Sequence, residues 1–344
     1  MENSQEILKD ENQEQKKQGF IKRFIKNKKH DKHQTETTGI VAEKQWMAWI
    51  YLSPILILLA IFTFYPFFST FITSFIENYN PIDKTNANNV NFNNYIYIFK
   101  TADIRNSIIT TLWIVVISVP VSTLLALLIS VALNSIKILQ KTLQTIFFLP
   151  YVTNAIAIGM VFSVMFKTVG YNANTGDATT FGVINTILGW FGTKPIIFLG
   201  TGSTYLSNMF VLMFYIIWSS LPFKILILLG ALQSINNQYY DAAKIDSTSK
   251  WRVLWRITVP LLSPMLSYIL ITGFISAFKT YTALIGIFGE KPLNPKMKTI
   301  VSIIMESLTS NDIGLASAAS VILFIVIFII TRINLYISKR SVHY

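Results

Sequence analysis

Six apolar runs divide the chain, at residues 46–76, 107–133, 143–166, 205–232, 265–288 and 314–337. Each is long enough to supply the roughly 20 residues that a helix needs to cross the hydrocarbon layer. In a bilayer a helix satisfies its own backbone groups, whereas an open sheet leaves them unpaired. The pattern therefore predicts an all-α integral membrane protein with six spanning helices. The first run is too long for a signal-peptide core, and the segment before it is too long and too mixed in charge for a secretory leader. It is expected to be a retained span.

The segments between the runs differ in character. Residues 1–44 are rich in Lys, Glu and Gln and poor in apolar types, so they cannot bury a core and are expected to form a mostly disordered tail. Within it, residues 19–29 place Phe20, Ile21, Phe24 and Ile25 on one helical face. A basic amphipathic helix on an anionic leaflet and a plain solvated charge run both fit this stretch. Residues 78–92, 168–182 and 289–297 carry Asn, Gly, Thr and Pro, the chemistry of surface turns. No internal repeat is visible.

Composition agrees with the pattern. Hydrophobic types make up 52% of the 344 residues and charged types 13%, about half the roughly 25% usual in soluble domains. The formal net charge is nonetheless +12, and its placement gives the topology. Lys137, Lys141, the basic residues from Lys224 to Arg256, and Arg332, Lys339 and Arg340 fall in alternate connections with few acids. The positive-inside rule then places both termini in the cytoplasm and leaves 341–344 as a short C-terminal tail. The charge speaks for membrane topology and not for nucleic acid. There is no cysteine, which excludes disulfides, thiolate metal sites and a thiol nucleophile. The three histidines, His30, His33 and His343, lie near the termini. The His30/His33 pair reads as solvated tail, so no metal site and no catalytic residue are expected.

The segment 231–264 is too polar to span and too patterned for a random loop. Asn236 or Asn237 can cap a helix start. Trp251, Val253, Leu254 and Ile257 form an apolar stripe broken by Arg252 and Arg256, and Pro260 and Pro264 are expected to mark the junction with the next span. On residues alone, this is either an amphipathic connector packed under its own bundle or a docking element.

Asp241, Ala242 and Ala243, then Ser247, then Ile257–Thr258–Val259–Pro260 follow a known spacing. The segment resembles the EAA loop of ABC importer permeases. The words "AKIDSTSKWRVLWRITVPLLSP", "YLSPILILLAIFTFYPFFSTFITSF", "NFNNYIYIF" and "TIFFLPYV" resemble the carbohydrate branch, on its MalF-like rather than MalG-like side. The resemblance covers about residues 46–340 and implies a six-helix permease bundle of the MetI-like type over 45–340. It implies a multi-pass subunit of the cell membrane that pairs with a MalG-like permease. Two ATPase subunits and an extracytoplasmic substrate-binding protein would complete the importer. No phosphate-cradling Gly-Lys-Ser/Thr loop is present. This chain is therefore expected to bind no cofactor and catalyse nothing, with ATP and magnesium held by the separate ATPase. Three departures stand out. Asp241 replaces Glu, Ser247 replaces Gly and so weakens any need for a positive φ at that corner, and "GEKPLNP" replaces the family's word after the fifth span.

By the same resemblance, Tyr240, Asp241, Ala242, Ala243, Asp246, Ser247, Ile257 and Pro260 are the ATPase-coupling residues. Asp241 would pair with a basic residue of the ATPase, and the two alanines would let its surface approach closely. For the substrate path, polar groups inside spans are the candidates. Lys279 lies in the middle of its run and is either pore-lining or a structural lysine paired within the bundle. Asn154, Tyr215, Trp218 and Tyr281 can offer hydrogen bonds and ring faces to a sugar, or can join helices. Pro150 and Pro222 are either hinges or tolerated membrane prolines. The expected cargo is a carbohydrate, with glycerol or a glycerol phosphate as the alternative. An ion-gradient transporter would need carboxylates within the spans, which are almost free of them.

Overall fold

The computed structural model describes residues 46–79, 90–136, 140–171, 178–289 and 294–341. The amphipathic stretch 19–29, His30, His33 and His343 lie outside them. The described chain is mostly helical, with one small hairpin, β1 (Thr168–Tyr171) paired antiparallel with β2 (Ala178–Phe181), and two isolated bridges, Ile76–Val90 and Lys167–Leu199. By its contacts the chain divides into Met1–Ser69 and Thr70–Tyr344.

The first helix, α1, runs Trp46–Thr73 with a π-helical stretch at Ala60–Phe64. Its large apolar side chains are exposed, as in Trp49, Ile55, Phe62 and Phe68.

In the second unit, α2 (Asn93–Lys100) leads into α3 (Ala102–Ser135). Then come α4 (Gln140–Val152), α5 (Ala155–Phe166), α6 (Val183–Trp190) and α7 (Tyr205–Ser234). A short α8 (Gln238–Ile245) precedes α9, which is one helix over Lys250–Phe278 with a π-helical stretch at Leu254–Thr258. The chain ends with α10 (Thr282–Phe288), α11 (Ile300–Thr309) and α12 (Ile313–Ser341). Among the described residues, α1, α3, α7, α9 and α12 are long and apolar enough to cross a membrane.

Helix α3 organises the second unit. Its buried face mixes Ile114, Val115, Val119, Ala126 and Leu127 with Ser118, Ser122 and Ser130. Lipid is as apolar as a leucine side chain, so small residues and hydrogen bonds hold such helices together. Ser130 donates from Oγ to the Ile225 carbonyl of α7 at 3.3 Å. One apolar cluster joins Ile114 to Phe162, Leu212, Tyr215 and Ile287. Another joins Ala126 and Leu127 to Leu228, Leu262 and Ile269.

Three expectations are corrected. The third run is not one continuous helix: α4 ends at Val152 and α5 starts at Ala155. Asn154 causes the restart. It sits at φ −62°, ψ 123°, and its Oδ1 accepts from the Ile156 N–H at 2.9 Å and the Ala157 N–H at 3.4 Å, so it is an N-cap. The fifth run is displaced: α9 begins at Lys250, passes through Pro260 and Pro264 without a junction, and ends at Phe278. Lys224, expected on the inner boundary, instead lies buried within α7. Pro120 and Pro222 sit inside unbroken helices, as membrane prolines do where neighbouring groups take up the freed carbonyls.

Candidate functional site

A cavity of about 530 Å³ opens at the two helix interruptions. Thr153 and Ala155 line it from the α4–α5 break, and Lys279, Thr280, Thr282 and Ala283 line it from the α9–α10 break. Irregular backbone at membrane depth is tolerated where it lines a cavity, because water or cargo can then satisfy the freed groups. Discontinuous helices also mark binding sites in other transporters. The two restarted helices touch backbone to backbone. A Cβ built on Gly286 of α10 would lie 2.9 Å from the Gly159 Cα of α5, so only glycine fits at this crossing.

The remaining walls come from α3, α4, α7 and α9. Ser118, Ser122, Ser219, Ser220, Thr272 and Ser276 contribute hydroxyls, while Tyr151, Phe223 and Ile269 contribute apolar surface. Among the described residues, no Asp, Glu, Asn or Gln lines the cavity.

The substrate-path candidates separate. Tyr215 lines the cavity, donates from its hydroxyl to the Ala155 carbonyl at 2.8 Å, and meets the Phe162 ring edge-on at 5.1 Å. Lys279 also lines it, but as the exposed residue that ends α9 rather than as a mid-span lysine. Asn154 caps α5, Trp218 packs on Phe162 at 5.4 Å, and Tyr281 precedes α10; all three stand outside the lining. Sequence reasoning missed Lys224. Its Nζ donates to Ser122 Oγ at 2.6 Å and Thr123 Oγ1 at 3.1 Å. A lysine inside an apolar run was the available signal, but nothing local tied it to hydroxyls on α3.

The segment 231–264 forms a second, separate feature. Asn236 Oδ1 accepts from the Gln238 N–H at 3.0 Å and starts α8. The helix ends in a Schellman turn: the Thr248 N–H reaches the Ala243 carbonyl and the Ser247 N–H reaches the Lys244 carbonyl, both at 3.0 Å. Ser247 takes φ +52°. The corner does demand the left-handed conformation, contrary to the expectation from the Gly-to-Ser change. A non-glycine residue there costs roughly 1–2 kcal/mol.

The two alanines are not equivalent. Ala243 is buried against its own chain, whereas Ala242 is exposed. Ile245 is 85% exposed, an unusual position for a branched apolar side chain, and it extends the surface begun by Ala242. A hollow of about 440 Å³ lies beside them, lined by Tyr239, Ala242, Asp246 and Ile257 among others. Asp241 is exposed and pairs with Lys244 at 2.8 Å. The Tyr240 hydroxyl lies 3.3 Å from Thr258 Oγ1, which ties α8 to the π-helical stretch of α9. Pro260 is half-buried within α9.

The model of the family described as "Binding-protein-dependent transport system inner membrane component" matches residues 118–343. The chain belongs to that family. This permease is therefore a multi-pass membrane transport subunit, and the matched range takes in both the cavity walls and the segment 231–264. It is 28% identical to a probable ABC transporter permease of Mycoplasma genitalium, over 81% of this chain and 82% of the relative. It is 26% identical to an arabinooligosaccharide transport system permease, AraP, of Halalkalibacterium halodurans, over 84% and 87%. Against the trehalose/maltose permease MalF of Thermococcus litoralis the identity is 25%, over 85% and 94%. A crystal structure of a bacterial alginate ABC transporter shares the permease fold, with a TM-score of 0.72 at 21% identity over 87% of this chain and 96% of that one.

Proposed function

We propose that this permease forms half of the translocation path of an ATP-driven carbohydrate importer. The observation that carries the reading is the cavity at the two helix breaks. It offers a ring of hydroxyls with aromatic and aliphatic patches, which suits a polyhydroxylated cargo. The names of the relatives, which include arabinooligosaccharide and trehalose/maltose permeases, support the same class.

In this reading the chain crosses the membrane six times, with the α4–α5 pair as the third crossing. Both termini and the tail 1–44 are cytoplasmic. A MalG-like permease completes the path, an extracytoplasmic binding protein delivers cargo, and two ATPase subunits hold ATP and magnesium. Tyr240, Asp241, Ala242, Asp246, Ser247 and Ile257 couple the permease to the ATPase, while Ala243 and Pro260 hold the coupling helix to its own bundle. Exposure of Ala242 and Ile245 supports this division. ATP binding closes the ATPase dimer, and α8 passes that motion to the helices around the cavity, shifting a two-state equilibrium.

The test is reconstitution of the permease pair, ATPase and binding protein in proteoliposomes. ATP-dependent uptake of a labelled oligosaccharide is expected. An assembled complex that moves no saccharide from a broad panel, and whose ATP hydrolysis none stimulates, rules the reading out.

A further inference from the structure

Lys224 is the charged side chain that the coupling reading leaves unused. It is 4% exposed, inside a helix long enough to span the membrane. Its partners are the neutral oxygens of Ser122 and Thr123, with the Val119 carbonyl at 3.5 Å. The ion pairs among the described residues are Lys244–Asp241 and Lys298–Glu306, so no carboxylate of the described chain neutralises it. Hydroxyls solvate an ammonium without cancelling its charge. A buried cation left in that state is costly, and an ionisable group inside a membrane helix points to function by default.

The surroundings leave room for a counter-charge. Gly273 of α9 stands beside the ammonium, and a Cβ built there would lie 3.5 Å from Nζ. Lacking one, Gly273 keeps that side open to the cavity, which both residues line. Ser118, 1% exposed and on the same wall, has a hydroxyl with no hydrogen-bond partner. A buried polar atom in that state is costly unless a ligand or water completes it. Lys279 adds a second ammonium to the lining, and among the described residues no acid opposes either one. The cavity therefore combines a positive field with many hydroxyls.

We infer that Lys224 and the unpartnered Ser118 hydroxyl form an anion-recognising subsite, so that the cargo is a polyol bearing a negative group. This rests on the importer reading above and narrows its substrate class. A sugar carboxylate and a polyol phosphate present the same acceptor oxygens, so the experiment carries both.

The chain has no cysteine, so Ser276→Cys places a single thiol on the cavity wall. In membranes holding the assembled importer, a negatively charged methanethiosulfonate is expected to modify it faster than a positively charged one. Lys224→Met is expected to lower that rate ratio by roughly tenfold, as removal of a focused field does. Digalacturonate or glycerol 3-phosphate is expected to protect the thiol and to be imported, where maltotriose protects poorly. Lys224→Met abolishes that protection and Lys224→Arg keeps it. Protection by only one acid names the group as carboxylate or phosphate. Should Lys224→Met not assemble, Ser118→Ala is expected to weaken acid protection several-fold on its own. An unchanged rate ratio in Lys224→Met, or acid protection that neither Lys224→Met nor Ser118→Ala alters, overturns the inference. So does an importer that carries maltotriose equally with and without the Lys224 charge while ignoring both acids; in that outcome the carbohydrate reading survives. An importer that moves none of the three probes, yet keeps the charge-dependent rate ratio, counts against the carbohydrate reading and leaves the positive subsite standing.

Discussion

At α8 the polar and apolar groups of interest face outward, whereas around Lys224 they turn inward. Ala242, Ile245 and Asp241 are exposed on one short helix. Ser118, Ser122, Lys224 and Gly273 converge from three long helices onto one cavity. Under the proposed function, the first arrangement serves a protein surface and the second a small cargo. Exposed groups contribute little to the stability of the fold. Groups at the cavity hold helices together and, under the proposed function, also meet the cargo. Substitutions should therefore separate the two regions by whether stability and transport fall together or apart.

The strongest test of the cavity side is the α5–α10 crossing. Gly286→Leu places side-chain atoms where the Gly159 backbone already lies within 2.9 Å of a Cβ. Both helices must shift, and the expected cost is about 3 kcal/mol. Detergent-solubilised protein should show a markedly lower unfolding midpoint, and transport should fail with it. A variant of wild-type stability that has lost uptake would mean that the crossing is a moving contact rather than a fixed pivot.

The alanine pair sharpens the contrast within the segment 231–264 itself. Ala243→Leu adds volume against the permease's own side and is expected to cost about 1–2 kcal/mol. Ala242→Leu adds it to the open surface and should leave stability within about 0.5 kcal/mol. The ATPase should nonetheless co-purify poorly with the Ala242 variant. Equal stability loss in both would place Ala242 in the fold and remove it from the docking surface.

These two regions were also unequally legible in sequence. The segment 231–264 is local: Asp241, Ala242, Ala243 and Ser247 lie within one helix and its turn, so their spacing and the flanking words carried the resemblance. What spacing hid was rotation, which buries Ala243 while exposing Ala242, and the φ of +52° at Ser247. The apolar runs located four of the long helices well and displaced α9. They concealed the interruptions at Asn154 and Lys279, because the flanking residues are apolar on both sides and hydropathy averages over a cap. Asn154, Lys279 and Tyr281 are visible in sequence as polar residues that fit either a substrate path or a structural role. Their larger effect is on the backbone: Asn154 restarts a helix, and Lys279 ends one. The Lys224 site was illegible because Ser122, Thr123 and Gly273 come from elements far apart in sequence.

Two changes of about 1 kcal/mol and opposite sign probe those hidden features. Asn154→Ala removes a cap that serves two N–H groups and is expected to destabilise by about 1 kcal/mol. The helix start that Asn154 caps carries the lining residue Ala155, so uptake should fall as well. Ser247→Gly relieves the left-handed corner and is expected to stabilise by about 1 kcal/mol. Backbone hydrogen exchange at Lys244 to Thr248 should slow accordingly. An Asn154→Ala variant with full uptake would confine that residue to the fold, and faster exchange in Ser247→Gly would mean that the serine side chain holds the turn.

The smallest expected effect falls on Asp241. Its pair with Lys244 is exposed on both sides, with 62% and 77% of the side chains open to solvent. Water screens such a pair, and fixing two mobile side chains costs entropy, so its contribution is about 0.5 kcal/mol or less. Asp241→Asn keeps the shape and removes the charge, and the unfolding midpoint should barely move. If the carboxylate leaves Lys244 for a basic group of the ATPase, association with that subunit should weaken and lose part of its salt dependence. Should association and its salt dependence both match wild type, Asp241 serves only its own helix, and docking rests on Ala242 and Ile245.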